Sequence, residues 1–106
     1  MGTLALPMNS NNALARLRPR SQHEYRQLPL FGGILDAFAE WMLNRGFSLV
    51  TGRADINALR RLVPWFQRRR KRSVDDLRAA DVAEARRYYR RRQPLMAAAV
   101  GKLGQF

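Results

Sequence analysis

The residues of this chain that could do chemistry are its arginines. The sequence holds 18 arginines and two lysines against eight carboxylates, which gives a net charge of +12, and it holds no cysteine. The planar guanidinium binds phosphates and guanine edges through two parallel hydrogen bonds, which a lysine cannot do. Such a basic chain attracts polyanions, with DNA or RNA as the default partner. The composition therefore predicts nucleic-acid binding, and it excludes disulfides and thiolate metal sites.

The positive charge is densest between Gly46 and Arg72, where eight basic residues and one carboxylate give a net charge of +7. Apolar residues of this stretch share one arc of a helix drawn at 100° per residue: Ile56, Leu59, Leu62, Val63 and Phe66. A second arc carries arginine and asparagine and no carboxylate: Arg53, Asn57, Arg60, Arg61 and Arg68. A helix with one apolar side and one arginine side is typical of a nucleic-acid reader.

The other chemically capable residues give weaker signals. His23 is the single histidine and has no partner ligands nearby in the sequence, so a metal site is not predicted. Tyr88 and Tyr89 suggest a nucleophile, but a catalytic phenol needs cationic groups converging on a phosphate, usually with a general acid. No histidine-containing cluster of that kind is present. We therefore predict no catalytic residue, no metal site and no cofactor in this chain.

Two helices are predicted to position the central arginines. The first should run from about Gly33 to Asn44, where apolar residues recur at helical spacing. Gly46 is expected to take a left-handed conformation after it, and Ser48 is expected to cap the second helix. Pro64 removes a backbone donor and clashes with the preceding turn, so we expect a kink there that turns Trp65 toward the core.

A short turn at Ser73 is predicted to precede a third helix from about Ala79 to Arg92. Pro94 suits the first turn of a fourth helix. Its apolar residues share one face: Leu95, Met96, Ala99, Val100, Leu103 and Phe106. Residues 1–30 have too little apolar surface to fold alone, so a flexible basic arm is expected there. The predicted fold is all-α, with four helices in a DNA-binding domain over residues 31–106.

A set of residues in residues 31–106 follows the order of a known family pattern: Phe38, Trp41, Arg45, Gly46, Phe47, Ser48, Thr51, Ile56, Leu59, Arg60, Arg61, Trp65, Phe66, Asp76, Leu77, Asp81, Val82, Leu103 and Phe106. That pattern runs F-x-x-W-L-x-x-R-G-[YF]-S-x-x-T, then L-R-x-F-x-x-W, then D-L-x-x-x-D-[VL]. In these residues the chain resembles the N-terminal core-binding (SAM-like) domain of tyrosine recombinases of the phage-integrase type. Three positions depart from the pattern: Asp55 stands where the family often has tyrosine, Pro64 interrupts the second helix, and Arg78 replaces the usual capping threonine.

The resemblance implies a C-shaped clamp in which this domain holds one face of the DNA site. A separate catalytic domain of the same parent chain would carry out strand exchange, and in such proteins the second and fourth helices face the major groove. The residues expected to contact DNA are Thr51, Arg53, Asn57, Arg60, Arg61, Arg68, Arg69 and Lys102. The expected partners are double-stranded DNA, that catalytic domain, and other recombinase subunits assembled on the DNA.

Two other functions fit the same composition. The chain is also consistent with a small helical protein–protein adaptor, or with a self-contained RNA- or nucleoid-binding protein. Its apolar runs are too short to span a membrane, and no N-terminal stretch has the apolar core of a signal peptide. We therefore expect a cytoplasmic protein with no membrane partner.

Overall fold

The computed structural model describes residues 13–106, which form helices joined by short turns. The four main helices are α1 (Leu35–Asn44), α2 (Leu49–Gln67), α3 (Ala79–Arg92) and α4 (Pro94–Gln105). The shorter elements are a helical segment at 13–17, a helix at Gln22–Arg26, and 3₁₀ turns at Gly32–Ile34 and Val74–Asp76. Over residues 13–106 the only β pairing is an isolated bridge between Leu30 and Ser73. The predicted all-α class and the order of its four helices are confirmed.

The core lies where α4 packs against both α3 and α2, and α1 also packs against α2. Phe38, Leu59 and Val100 are fully buried there, one from each of three helices. Phe31 meets Phe66 edge to face, with 6.0 Å between ring centroids. The apolar arc that the sequence predicts for α2 is therefore the arc that faces the core. None of the helices among residues 13–106 has the length and apolar character needed to cross a membrane.

Local signals mark the start of α2 as predicted. Gly46 adopts φ +88°, the left-handed region that glycine enters without steric cost, and so reverses the chain after α1. Ser48 Oγ accepts the backbone N–H of Thr51 at 3.1 Å, which satisfies one of the free donors of the first turn. The helix continues past Pro64, which is exposed, and ends at Gln67.

The buried face of α4 differs from the predicted one. Leu95 was expected on that face but is 74% exposed, whereas Ala97, which is not among the residues expected there, is only 8% exposed. The reason is that α4 packs against two helices, so its buried arc is wider than a single stripe and is shifted toward Ala97. An alanine allows a neighbouring helix to approach closely.

The prediction of a flexible arm is wrong for residues 13–30. Leu14, Leu17 and Tyr25 are buried in the same core as the four helices. A Cβ added to Gly52 in α2 would lie 2.8 Å from Leu17 Cδ2, so the segment packs directly against the α2 backbone. The packed domain therefore includes residues N-terminal to the predicted boundary at residue 30. The first 12 residues of the predicted arm lie outside the described residues.

The start of α3 is held by an acidic residue inside the helix. Asp81 Oδ2 accepts the backbone N–H of Arg78 at 2.8 Å and lies 3.1 Å from Lys71 Nζ. These contacts, the backbone hydrogen bond first, hold the pKa of the Asp81 carboxyl below its ordinary value of 3.8. Asp81 thus satisfies the backbone N–H of the residue before the helix, whereas the side chain of Arg78 makes no cap to the first-turn N–H groups that a threonine there would reach.

Asp81→Ala is expected to destabilise the domain at neutral pH by roughly 0.5–1 kcal/mol, the size of a lost helix cap. A carboxylate whose folded pKa is depressed stabilises the fold above its unfolded pKa, and this contribution is lost as the pH falls through the folded pKa. Urea unfolding at neutral pH and at about pH 2 measures the difference, which should shrink in acid. An equal difference at both pH values would show that the ionised carboxylate is not the cause.

Candidate nucleic-acid interface

The outward arc of α2 presents arginines to solvent, as predicted. Arg53, Arg60, Arg61 and Arg68 are all exposed. Over residues 13–106 none of these four has a carboxylate within ion-pair distance. A solvated helix usually alternates the signs of its charges, so a row of unpaired guanidinium groups favours an anionic ligand.

The N-terminal segment lies against the beginning of this arc. Arg53 Nε donates a hydrogen bond to the carbonyl of Leu17 at 3.1 Å, and Arg18 Nη2 donates one to the carbonyl of Arg53 at 2.9 Å. The first hydrogen bond is donated by α2 and the second by the N-terminal segment. They fix the stems of both arginines and bring the guanidinium of Arg18 into the predicted surface.

Tyr25 organises the middle of the surface. Its ring lies between two guanidinium groups, with Arg18 Cζ at 5.7 Å and Arg60 Cζ at 5.8 Å from the centroid. Its hydroxyl donates a hydrogen bond to Asn57 Oδ1 at 3.3 Å. Asn57 is half-buried, and its carbonyl oxygen accepts this hydrogen bond. Its amide N–H₂ is the group available to donate a hydrogen bond to a ligand. The sequence analysis did not identify Arg18 or Tyr25 as members of this site.

A shallow groove of about 350 Å³ joins α2 to the N-terminal end of α4. Asn57 and Arg61 line it from α2, and Gln93 and Leu95 line it from the other side. The start of a helix carries a partial positive charge, which favours an anion. The second and fourth helices are thus neighbours at this surface.

The residues at the two ends of α2 have other contacts. At the beginning, Thr51 Oγ1 accepts a hydrogen bond from Ser48 Oγ at 3.1 Å, so Thr51 belongs to the helix cap. At the end, the guanidinium of Arg69 lies 3.5 Å from the centroid of Trp65 and its Nε lies 2.9 Å from Glu84 Oε1. The charge of Arg69 is therefore partly neutralised, whereas that of Arg68 is not.

Lys102 is not part of the exposed surface, which corrects its prediction as a DNA contact. Its Nζ lies 2.8 Å from Asp55 Oδ2, and the two side chains are only 16% and 5% exposed. Asp55 Oδ2 receives no hydrogen bond of good geometry, so the contact is an ion pair. A buried carboxylate requires a nearby cation, because removing an ion from water costs several kcal/mol. Lys102 supplies that cation to the core.

Lys102→Ala is expected to lower the free energy of unfolding by roughly 3–5 kcal/mol, because the carboxylate of Asp55 would remain buried without a partner. The double variant Asp55→Asn/Lys102→Met should recover most of the loss, since it removes both charges. Chemical denaturation of the two variants and the wild type measures the difference. A loss from Lys102→Ala below about 0.5 kcal/mol, the size of an ordinary surface substitution, would contradict this role.

The tyrosine pair has the surroundings of packing residues. Burial, with a smaller contribution from Tyr88, raises the pKa of Tyr89 above its ordinary value of 10. The ring of Tyr88 lies under the guanidinium of Arg92 at 4.4 Å. Tyr89 is therefore a protonated, buried phenol at neutral pH, unlike an activated nucleophile. Among residues 13–106, no three His, Asp or Glu side chains come together in a way that could hold a metal ion.

Comparisons with protein-family models, with curated proteins and with solved structures found no match to this chain. The likeness to recombinase core-binding domains rests on the matching residues given above.

Proposed function

We propose that this domain binds double-stranded DNA through the outward face of α2. The observation that carries the proposal is the row of Arg53, Arg60, Arg61 and Arg68, which are exposed and have no carboxylate partner within the described part of the chain. Lys and Arg contacts to phosphates supply most of the affinity of a nucleic-acid-binding protein, and each contact releases condensed counterions. Arginine also reads guanine in the major groove.

The row of exposed arginines along α2 has a length that suits a DNA duplex. From Arg53 to Arg68 the helix rises about 22 Å, at 1.5 Å per residue. A B-DNA major groove about 12 Å wide admits one α-helix, and the flanking phosphates lie within reach of long side chains. Arg60 and Arg61 are consecutive, so their side chains point about 100° apart and lie at the two edges of the exposed arc. Arg60 lies on the side of Tyr25 and Arg61 on the side of α4, so one can hold a backbone while the other reaches base edges.

The N-terminal segment and α4 extend the surface to either side. Arg18 donates a hydrogen bond to the carbonyl of Arg53, and Arg53 donates one to the carbonyl of Leu17. The guanidinium groups of Arg18 and Arg60 both lie near the ring of Tyr25. On the other side, the positive end of α4 at Pro94 opens on the groove beside Arg61. Both flanks favour phosphates, so a backbone could be held on each side of α2.

The wider role that we propose is that of the DNA-holding domain of a tyrosine recombinase, which is non-catalytic by itself. The matching residues in and around α1 and α2 support it, with the catalytic domain of the same parent chain and other subunits as further partners. The coding sequence after Phe106 tests this part. A downstream arginine, a His-x-x-Arg motif and a tyrosine, in that order, are expected; a stop codon directly after Phe106 would refute the recombinase role while leaving DNA binding open.

Arg60→Ala and Arg61→Ala, made separately, should each weaken DNA binding and leave the fold intact, because both side chains are exposed. A phosphate-holding arginine lowers the slope of log K against log salt by about 0.9 for every sequence. A base-reading arginine instead relaxes the preference at one position by roughly 1–3 kcal/mol. Fluorescence anisotropy with a set of labelled duplexes separates the two roles.

Arg86→Ala in α3 is the matched control, since it removes the same exposed charge from a different helix. The isolated domain should bind non-specific duplex with a Kd of roughly 10⁻⁴–10⁻⁶ M at physiological salt. If a double-stranded RNA of the same length binds more tightly than the DNA, the RNA-binding alternative replaces this proposal.

A further inference from the structure

A second concave surface lies between α3 and α4. This groove has a volume of about 850 Å³ and an apolar floor. The floor is formed by side chains that pack on the core and keep part of their surface accessible: Ile34, Val74, Leu77, Val82, Leu103 and Phe106. Single exposed apolar residues are ordinary on protein surfaces, whereas a contiguous apolar concavity with a polar rim marks a binding surface.

The rim of the groove is basic. Of its 15 lining residues four are arginines and none is a carboxylate; the arginines are Arg78, Arg86, Arg87 and Arg90. The ion pairs within the described part of the chain include none of these four. Arg86 and Arg90 are one turn apart on α3, a like-charge arrangement that costs an isolated helix roughly 0.2–0.5 kcal/mol. A ligand that brings carboxylates to this rim would relieve the repulsion.

The chemistry of the groove selects its occupant. A second copy of this chain, with a net charge of +12, would be repelled. The phosphates of a nucleic acid could pair with the arginines of the rim, but its bases would find little to bind on the apolar floor. Bases bind proteins by stacking on aromatic rings, and Phe106 is the single aromatic residue of the lining. An apolar floor with a basic rim is complementary to a helix that is apolar on one side and acidic along its flanks.

We propose that the groove between α3 and α4 binds an acidic amphipathic helix of a partner protein. The helix places apolar side chains at i, i+3, i+4 and i+7 against Leu77, Val82 and Leu103, which is the usual way in which a helix occupies a groove. Carboxylates on its flank, spaced by one turn of about 5.4 Å, pair with Arg86 and Arg90. This interaction does not depend on DNA binding by α2.

The test uses the full 106-residue chain and a fluorescein-labelled synthetic peptide of roughly 18 residues, long enough to form a helix. The peptide carries leucines on one face and glutamates on both flanks. One control peptide has lysine in place of every glutamate, and the other has glutamine in place of every leucine. By fluorescence anisotropy, the acidic amphipathic peptide should bind, and each control should bind at least tenfold more weakly, because each lacks one of the two interactions.

Two matched double variants locate the binding. Arg86→Gln/Arg90→Gln should weaken binding of the acidic peptide by roughly three- to tenfold, the range for two partly exposed ion pairs. Arg60→Gln/Arg61→Gln, which removes the same charge from α2, should leave it unchanged. The proposal fails if the acidic peptide does not bind, if the glutamine peptide binds equally well, or if both double variants weaken binding alike. It also fails if duplex DNA displaces the peptide and Arg86→Gln/Arg90→Gln abolishes DNA binding, because the groove would then be a nucleic-acid surface.

Discussion

A chain that begins at residue 31 is expected to be unfolded at room temperature. Deleting residues 1–30 removes Leu14, Leu17 and Tyr25, which are buried in the core. Truncating one buried leucine to alanine costs roughly 2–5 kcal/mol, so losing all three side chains costs at least about 6 kcal/mol. A small domain has a total stability of only about 5–15 kcal/mol. Far-UV circular dichroism should show little helix and no cooperative melting transition for the truncated chain.

Single substitutions give the graded form of the same test. Leu17→Ala should lower the free energy of unfolding by roughly 2–5 kcal/mol, because its side chain fills the contact with Gly52. Arg16→Ala, one residue away and exposed, should change it by less than about 0.5 kcal/mol. Cooperative melting of the truncated chain at the wild-type temperature would contradict this expectation. The N-terminal segment would then lie outside the core, and the predicted domain boundary at residue 30 would be correct.

The parts of the fold that the sequence could predict are those with local causes. The order of the four helices follows from apolar residues recurring at helical spacing. The caps at Ser48 and Gly46 follow from residue types whose preferences act over one or two turns. Trp65 lies outside the apolar arc and was expected to turn toward the core at Pro64; it is buried next to Phe66, with 5.1 Å between ring centroids.

The docking of the N-terminal segment has a long-range cause and could not be predicted in the same way. Leu14 and Leu17 are too few to define a helix, and the surface that buries them belongs to residues about 35 positions later. One signal was present, however. Gly52 lies inside a helix, where glycine costs about 1 kcal/mol relative to alanine, and such a cost often indicates the close approach of another segment.

Two further features could not be predicted from the sequence. They are the turn that ends α2 and the pairing of Lys102 with a carboxylate of the core. Arg70 takes φ +65° and Lys71 N–H bonds back to the carbonyl of Phe66, which ends the helix in a conformation usually reserved for glycine. A run of basic residues gives no sign of this turn. Lys102 pairs with Asp55 from another helix, and a sequence does not show which charges on two helices will meet.

The central claim is that the exposed arginines of α2 hold a DNA duplex, and a salt titration tests it most directly. If four phosphates are neutralised, the slope of log K against log salt should be about −3.6, at −0.9 per phosphate. The triple variant Arg60→Gln/Arg61→Gln/Arg68→Gln should reduce that slope by about 2.7 and lower the affinity by on the order of a thousandfold at low salt. Arg53 is left unchanged because its side chain also holds the N-terminal segment.

The matched control is Arg86→Gln/Arg87→Gln/Arg90→Gln, which removes three exposed charges from α3 and leaves the net charge identical to that of the first variant. Both variants should keep the helical content and melting temperature of the wild type. Anisotropy titrations of one labelled duplex at several salt concentrations should give a slope near −0.9 for the α2 variant and near −3.6 for the α3 variant. Equal slopes for the two variants would contradict the account, because the domain would then attract DNA only through its overall positive charge.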